Sequence, residues 1–166
     1  MFAKAVVDVG PLFTVLTLNF VRKYRRDFIL ERTDIPRDRK IQDGYLQLFA
    51  GIRTVLTTSH VVGELQGLQK SRLRLGGMYL EEFWLNTIDF LIAKNFDERL
   101  LRLLEMHTEE RSSRRIRLFG PPDAGLVELA RREGCVFLTD DGALKGEARR
   151  SGVDCIVLRD LLAGAL

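Results

Sequence analysis

The chain has 166 residues, of which 46% are hydrophobic and 30% charged, and its net charge of +3 is spread over both signs, which excludes a polybasic tail or an acidic repeat. A length of this order closes around one core and buries about two-thirds of the unfolded surface, so a single domain over residues 1–166 is expected. No apolar run approaches the roughly 20 residues of a membrane helix, Asp8 and Pro11 interrupt any leader-like segment, and two cysteines without a C-x-x-C pair exclude a disulfide framework and fit a reducing cytoplasm.

Residues 3–8 (AKAVVD) form a β-branched run that ends in Asp8, and Gly10-Pro11 then opens a helix, because proline suits a first turn. Leu12, Val15, Leu16, Phe20, Tyr24 and Phe28 carry the helical spacing. Arg22, Lys23, Arg25 and Arg26 make its far end basic, as a solvated helix end or as a nucleic-acid contact. Residues 32–40 (RTDIPRDRK) lack periodicity and contain Pro36, which predicts a loop. Helicity returns with Tyr45, Leu46, Phe49 and Ile52, and residues 54–58 (TVLTT) read as a second strand.

Ser59 stands at the N-cap of the next helix, HVVGELQGLQK. Val61 and Leu68 lie three residues before and four after Glu64, so this carboxylate falls on or beside the buried stripe. A buried, unpaired carboxylate costs several kcal/mol and is normally protonated, paired with a base or bound to a cation. The alternative is a glutamate at the border of the stripe that snorkels to water.

Residues 78–109 read as two helical segments separated by Asn95-Phe96-Asp97, a helical insertion with Trp84 in its packing face. Residues 111–117 (RSSRRIR) are expected as a loop before a strand-like 116–119. There Arg111, Arg114, Arg115 and Arg117 grip RNA phosphates or form a solvated turn. From Gly120 a single pass yields a helix opened by Pro121-Pro122, with Asp123 in its first turn and Gly134 as its C-cap, then the strand CVFL (135–138) and the acidic turn Thr139-Asp140-Asp141. A helix over 142–151, a strand over 154–158 and a short last helix complete the alternation. Strands alternating with helices predict an α/β fold, a three-layer α/β/α sandwich around a mostly parallel sheet.

Asp8, Asp123 and Asp140-Asp141 follow strands or open helices, and Glu64 projects from a helix after a strand, so all can converge on the carboxyl edge of such a sheet. Each aspartate alone is explained by helix capping. A cluster of like charges is relieved by protons or by a divalent cation, and oxygen ligands without neighbouring Cys or His favour Mg²⁺ or Mn²⁺. Such a site suits phosphodiester hydrolysis through an activated water. His60 and His107 are too scattered for a histidine base, and there is no P-loop.

In this order, VVDVGPL with Asp8, TTSHVVGEL with Glu64, GPPDAGLVELA with Asp123, and FLTDDGAL with Thr139 and Asp141 resemble the PIN-domain nucleases over nearly the whole chain. The resemblance implies a PIN-like fold with added helices and a metal-dependent ribonuclease using Asp8, Glu64, Asp123 and Asp141. Asp140 is a neighbouring ligand and Thr139 a supporting hydroxyl. It also implies an RNA substrate, a homodimer and an antitoxin-like protein partner. Val9 departs from the small polar residue that many members carry after the first aspartate. Two other classes compete: a catalytically inactive PIN-like module that binds RNA or protein, and a Mg²⁺-dependent phosphotransfer domain. The second wants its acids paired after the first strand, which Asp8-Val9-Gly10 does not provide.

Overall fold

The computed structural model describes residues 2–100 and 110–162, with only the backbone at 110–114 and 161–162. Five strands, β1 (Lys4–Val7), β2 (Thr54–Thr58), β3 (Asp97–Arg99), β4 (Val136–Thr139) and β5 (Cys155–Val157), form one sheet in the order β3-β2-β1-β4-β5. Every pairing is parallel. Parallel neighbours need long crossovers, and the helices supply them. They are α1 (Val9–Tyr24), α2 (Arg39–Ala50), α3 (Ser59–Leu68), α4 (Gly77–Ala93), α5 (Glu110–Glu133), α6 (Gly142–Arg150) and α7 (Leu158–Leu162).

The chain steps outward from β1 to β3, then returns past β1 to β4, so the sense of the crossovers reverses between β1 and β4. Right-handed crossovers of opposite sense put their helices on opposite faces. Accordingly α1 packs with α2, α3 and α4, whereas α5 packs with α6 and against β1, β2 and β4, an arrangement consistent with three layers. Ala5, Val6 and Val7 in β1 and Phe137 and Leu138 in β4 are fully buried, as expected for strands covered on both faces. The first helix is apolar nearly all round, with Leu12, Val15, Leu16, Leu18 and Phe20 all buried, because it lies between the sheet and other helices.

The differences from the sequence reading are local. The first helix stops at Tyr24 because Arg25 adopts a left-handed conformation (φ 56°), and Phe28 belongs to a separate 3₁₀ turn, Asp27–Arg32. The N-cap of α3 is Thr58 rather than Ser59, and its side chain makes no capping bond. The insertion after residue 78 is not all helical: Asp97–Arg99 is the edge strand β3, paired with β2, while 101–109 lies outside the described residues. The expected arginine loop and the strand over 116–119 are replaced by the first half of α5. That helix is broken at Gly120 (φ 82°, ψ 167°), a conformation open to glycine and closed to residues with a Cβ. Among the described residues the strand between β2 and β4 lies at Asp97–Arg99 rather than over 116–119. Among the described residues no helix is long and apolar enough to cross a membrane.

Candidate active site at the carboxyl edge of the sheet

Asp8 leaves the carboxyl end of β1 at the switch between β1 and β4, the position at which open parallel sheets bind ligands. Its N–H donates to the Leu138 carbonyl (2.9 Å), which continues the β1–β4 ladder one residue past the strand. Both carboxylate oxygens are engaged: Oδ1 accepts from Val9 N (2.6 Å), capping α1, and Oδ2 accepts from the Thr139 hydroxyl (2.7 Å). Thr139 is completely buried, and its Oγ1 in turn accepts the Asp141 N–H (3.0 Å). One threonine side chain therefore ties the end of β1 to the turn after β4 and fixes the position of two predicted acids.

Asp141 also caps α6, with Oδ1 accepting from Ala143 N (2.7 Å), and its side chain reaches solvent. Capping and a place in the acid cluster are thus compatible at both Asp8 and Asp141. Asp123 comes from the opposite helical layer, in the first turn after the Gly120 break. Glu64 lies on α3 and is exposed, so the structure selects the border of the stripe over its buried centre, while Val61 and Leu65 face inward.

The electrostatics join these four acids. Burial and then the charges of Asp8, Glu64 and Asp141 push Asp123 up to about 6. Glu64 is raised by burial and by Asp8, with His60 easing it. Asp8 is raised chiefly by burial, against the hydrogen bonds from Thr139 and Val9, and further by the charges of Asp140 and Asp141. Among the described residues no Lys or Arg forms an ion pair with Asp8, Glu64, Asp123 or Asp141. Nor do any three of the described His, Cys, Asp and Glu side chains stand close enough together to hold a metal ion.

Asp140 behaves differently from its neighbour. Its Oδ1 accepts from the buried Tyr45 hydroxyl (2.9 Å), and Arg159 supplies both charge and a backbone N–H. Its Oδ2 is the nearest atom to the place a Cβ on Gly10 would occupy, 3.5 Å away. Asp140 raises Asp8 but is not among the charges felt by Asp123, so it stands to one side of the cluster. Tyr45 and Arg159 were not singled out from the sequence. Tyr45 reads as one more apolar position of a helix, and its partner is 95 residues away; Arg159 could have been noticed as a cation just after a strand, at the same edge as the acids.

No protein-family model and no curated protein matches this chain.

The four predicted arginines divide. Arg115 is 1% exposed and turns into the protein, donating from Nη2 to Ser151 Oγ (2.9 Å) and lying against Glu147 (3.4 Å) and Glu128 (3.5 Å). The expected phosphate contact does not extend to it, because its guanidinium is committed to buried carboxylates. Arg117 is exposed, and the side chains of Arg111 and Arg114 lie outside the described residues. Of the cysteines, Cys155 is buried and Cys135 half-buried, both as free thiols. They line a cavity of about 850 Å³ at the amino edge of the sheet, beside Lys4 and Val136. That cavity lies at the opposite end of the strands from the acids, away from the edge at which such sheets bind ligands.

Proposed function

We propose that the chain is a PIN-like nuclease that hydrolyses RNA phosphodiester bonds with Mg²⁺ or Mn²⁺ held by Asp8, Glu64, Asp123 and Asp141. The observation that carries this reading is the environment of Asp123: burial and then the charges of three other acids raise its proton affinity, and no base among the described residues pairs with it. A partly buried carboxyl raised to about 6 beside three further acids, none of them ion-paired among the described residues, makes a site short of positive charge. A donor set of carboxylate oxygens fits a hard divalent cation.

In this reading a bound cation lowers the pKa of a water and screens the phosphate, supplying a nucleophile near neutral pH. The chain's own groups orient and hold. The Thr139 hydroxyl keeps Asp8 Oδ2 in place and, through Oγ1, fixes the backbone of Asp141. Asp123 completes the cluster from across the sheet edge, and Glu64 contributes from the solvent side. Asp140, engaged by Tyr45 and Arg159, positions the turn instead of serving as a principal ligand. Its tie to Tyr45 links α2 to the acid cluster.

The test is Mn²⁺-dependent cleavage of single-stranded RNA by the unmodified chain and by Asp8→Asn and Asp123→Asn. Cleavage by the first and its loss in both variants is expected; equal cleavage by all three contradicts the assignment.

A further inference from the structure

A polyanionic substrate approaching a cluster of carboxylates needs cations along its path, and Arg115, once expected to help, is buried. The α1–α3 flank supplies others. The third helix runs into a π-helical turn, Gln69–Leu73, that buries Gln69 and Leu73 and leaves Ser71 and Arg72 exposed. Arg74 ends the turn in a left-handed conformation (φ 51°), its N–H bonded to the Gln69 carbonyl (3.0 Å). Single π turns of this kind are frequent at functional sites.

Arg72, Arg74 and Ser71 face Arg32, the last residue of the 3₁₀ turn, across a cleft of about 390 Å³. Arg72 also lines a second cleft of about 190 Å³, which ends on Val9, Gly10, Asp140 and Arg159. Val9 and Gly10 immediately follow Asp8 and Asp140 precedes Asp141, so the two clefts adjoin at Arg72 and the second ends beside the acid cluster. The acids within the second cleft are already matched with cations, Asp34 by Arg72 (3.1 Å) and Asp140 by Arg159. The Arg72–Asp34 pair is exposed, and exposed ion pairs are weak enough to yield to a phosphate.

At the outer end stand aromatic rings. The Arg32 guanidinium lies 5.9 Å from the centre of the Phe28 ring, and Phe28 meets Tyr79 edge-on at 6.3 Å. Arg26 lies over Tyr79 at 4.8 Å. Phe28 is 42% exposed and Tyr79 37%, so large rings sit at the surface beside guanidinium groups. Cationic grooves with exposed aromatic platforms bind single strands, because unpaired bases stack while the backbone is neutralised.

We propose that this flank is a track for single-stranded RNA leading to the acid cluster, with Arg32, Arg72 and Arg74 on phosphates and Phe28 and Tyr79 stacking an unpaired base. The inference rests on the ribonuclease reading and adds the direction from which substrate enters.

Fluorescence anisotropy with a labelled RNA of about 12 nucleotides in excess chelator measures binding without cleavage. Arg32→Ala/Arg72→Ala/Arg74→Ala is expected to weaken binding more than about tenfold. It should also flatten the dependence of log K on log salt by about 2, close to 0.7 for each lost phosphate contact. Phe28→Ala/Tyr79→Ala is expected to cost about tenfold, and duplex RNA of the same length to bind more weakly than the single strand. Thermal melts of both variants, whose altered side chains are exposed, should match that of the unmodified chain. Unchanged affinity and salt slope in the triple variant, with RNA still bound and cleaved, overturn the track and leave the ribonuclease reading standing. Equal affinity for duplex RNA overturns the single-strand assignment. An unmodified chain that neither binds nor cleaves RNA overturns the ribonuclease reading, and the track with it.

Discussion

Asp123 and Glu128 lie on the same half of α5, and the protein treats them in opposite ways. Glu128 is fully buried, where desolvation opposes its charge, yet hydrogen bonds from Arg131 and Arg132 outweigh that penalty and its pKa is lowered. Arg132 Nε reaches its Oε1 at 2.8 Å and Arg131 Nη2 at 2.7 Å, while Arg115 approaches Oε2 and bridges to Glu147 on α6. Asp123, raised by burial and then by three neighbouring acids, reaches about 6. A chain that gathers guanidinium groups around a buried glutamate has the means to neutralise its acids. Asp8, Glu64, Asp123 and Asp141, by contrast, form no ion pair with Lys or Arg among the described residues, and strongly perturbed acids in such a position are candidates for a functional site.

The sharpest way to break that contrast is through activity. Asp8→Asn and Asp123→Asn are expected to reduce Mn²⁺-dependent RNA cleavage by more than about 100-fold, beyond the 10–100-fold usual for groups that only support a metal ligand. Removing one partner at the other pole should act on stability instead. Arg115→Ala strips a buried cation from Glu128 and Glu147, and breaking a buried pair costs about 3–5 kcal/mol. Because Glu128 retains Arg131 and Arg132, about 3 kcal/mol is expected, read as a shift in the urea midpoint with an unchanged slope. A loss below about 1 kcal/mol would mean that the network does not hold the two halves of α5 together across Gly120.

Asp123→Asn should have a smaller effect of opposite sign. The folded pKa of Asp123 lies above its unfolded value near 3.9, so the folded protein holds an extra proton between about pH 4 and 6. The linked stability is complete below about pH 4 and lost as pH rises through about 6, and the raised values of Asp8 and Glu64 act in the same direction. Allowing for solvent screening of a partly exposed group, metal-free Asp123→Asn should be more stable than the unmodified chain by about 1 kcal/mol at pH 7.5, a gain of about 2–4 °C in Tm. The difference should disappear at pH 4. A variant less stable than its parent at pH 7.5 would remove the repulsion from the account.

The acids were legible because each is announced locally. Asp8 follows β1 directly, Thr139 ends β4 and Asp140-Asp141 come just after it, and a strand end in a parallel sheet has little freedom about which edge it faces. Glu64 needed only helical spacing, although spacing alone could not say whether the side chain pointed inward or to the rim. What escaped depends on partners distant in sequence. Asp97–Arg99 is a strand of charged residues with no β pattern of its own, formed by pairing with β2 and suited to an edge where charge discourages further pairing. Residues 111–117 look like a loop, since serines and arginines without apolar periodicity give no helical face; Arg115 becomes a core residue only once Glu128 and Glu147 surround it. Pro121-Pro122 was readable as a helix start, but not the helix that precedes it across Gly120.

The central claim, that the edge acids form one site short of positive charge, is tested most directly by following the Asp123 carboxyl carbon by NMR through a pH titration, without metal and with saturating Mg²⁺. A midpoint near 6 is expected in the metal-free protein, falling to below about 4 when the cation is present. A midpoint close to 3.9 that Mg²⁺ leaves unmoved would contradict it.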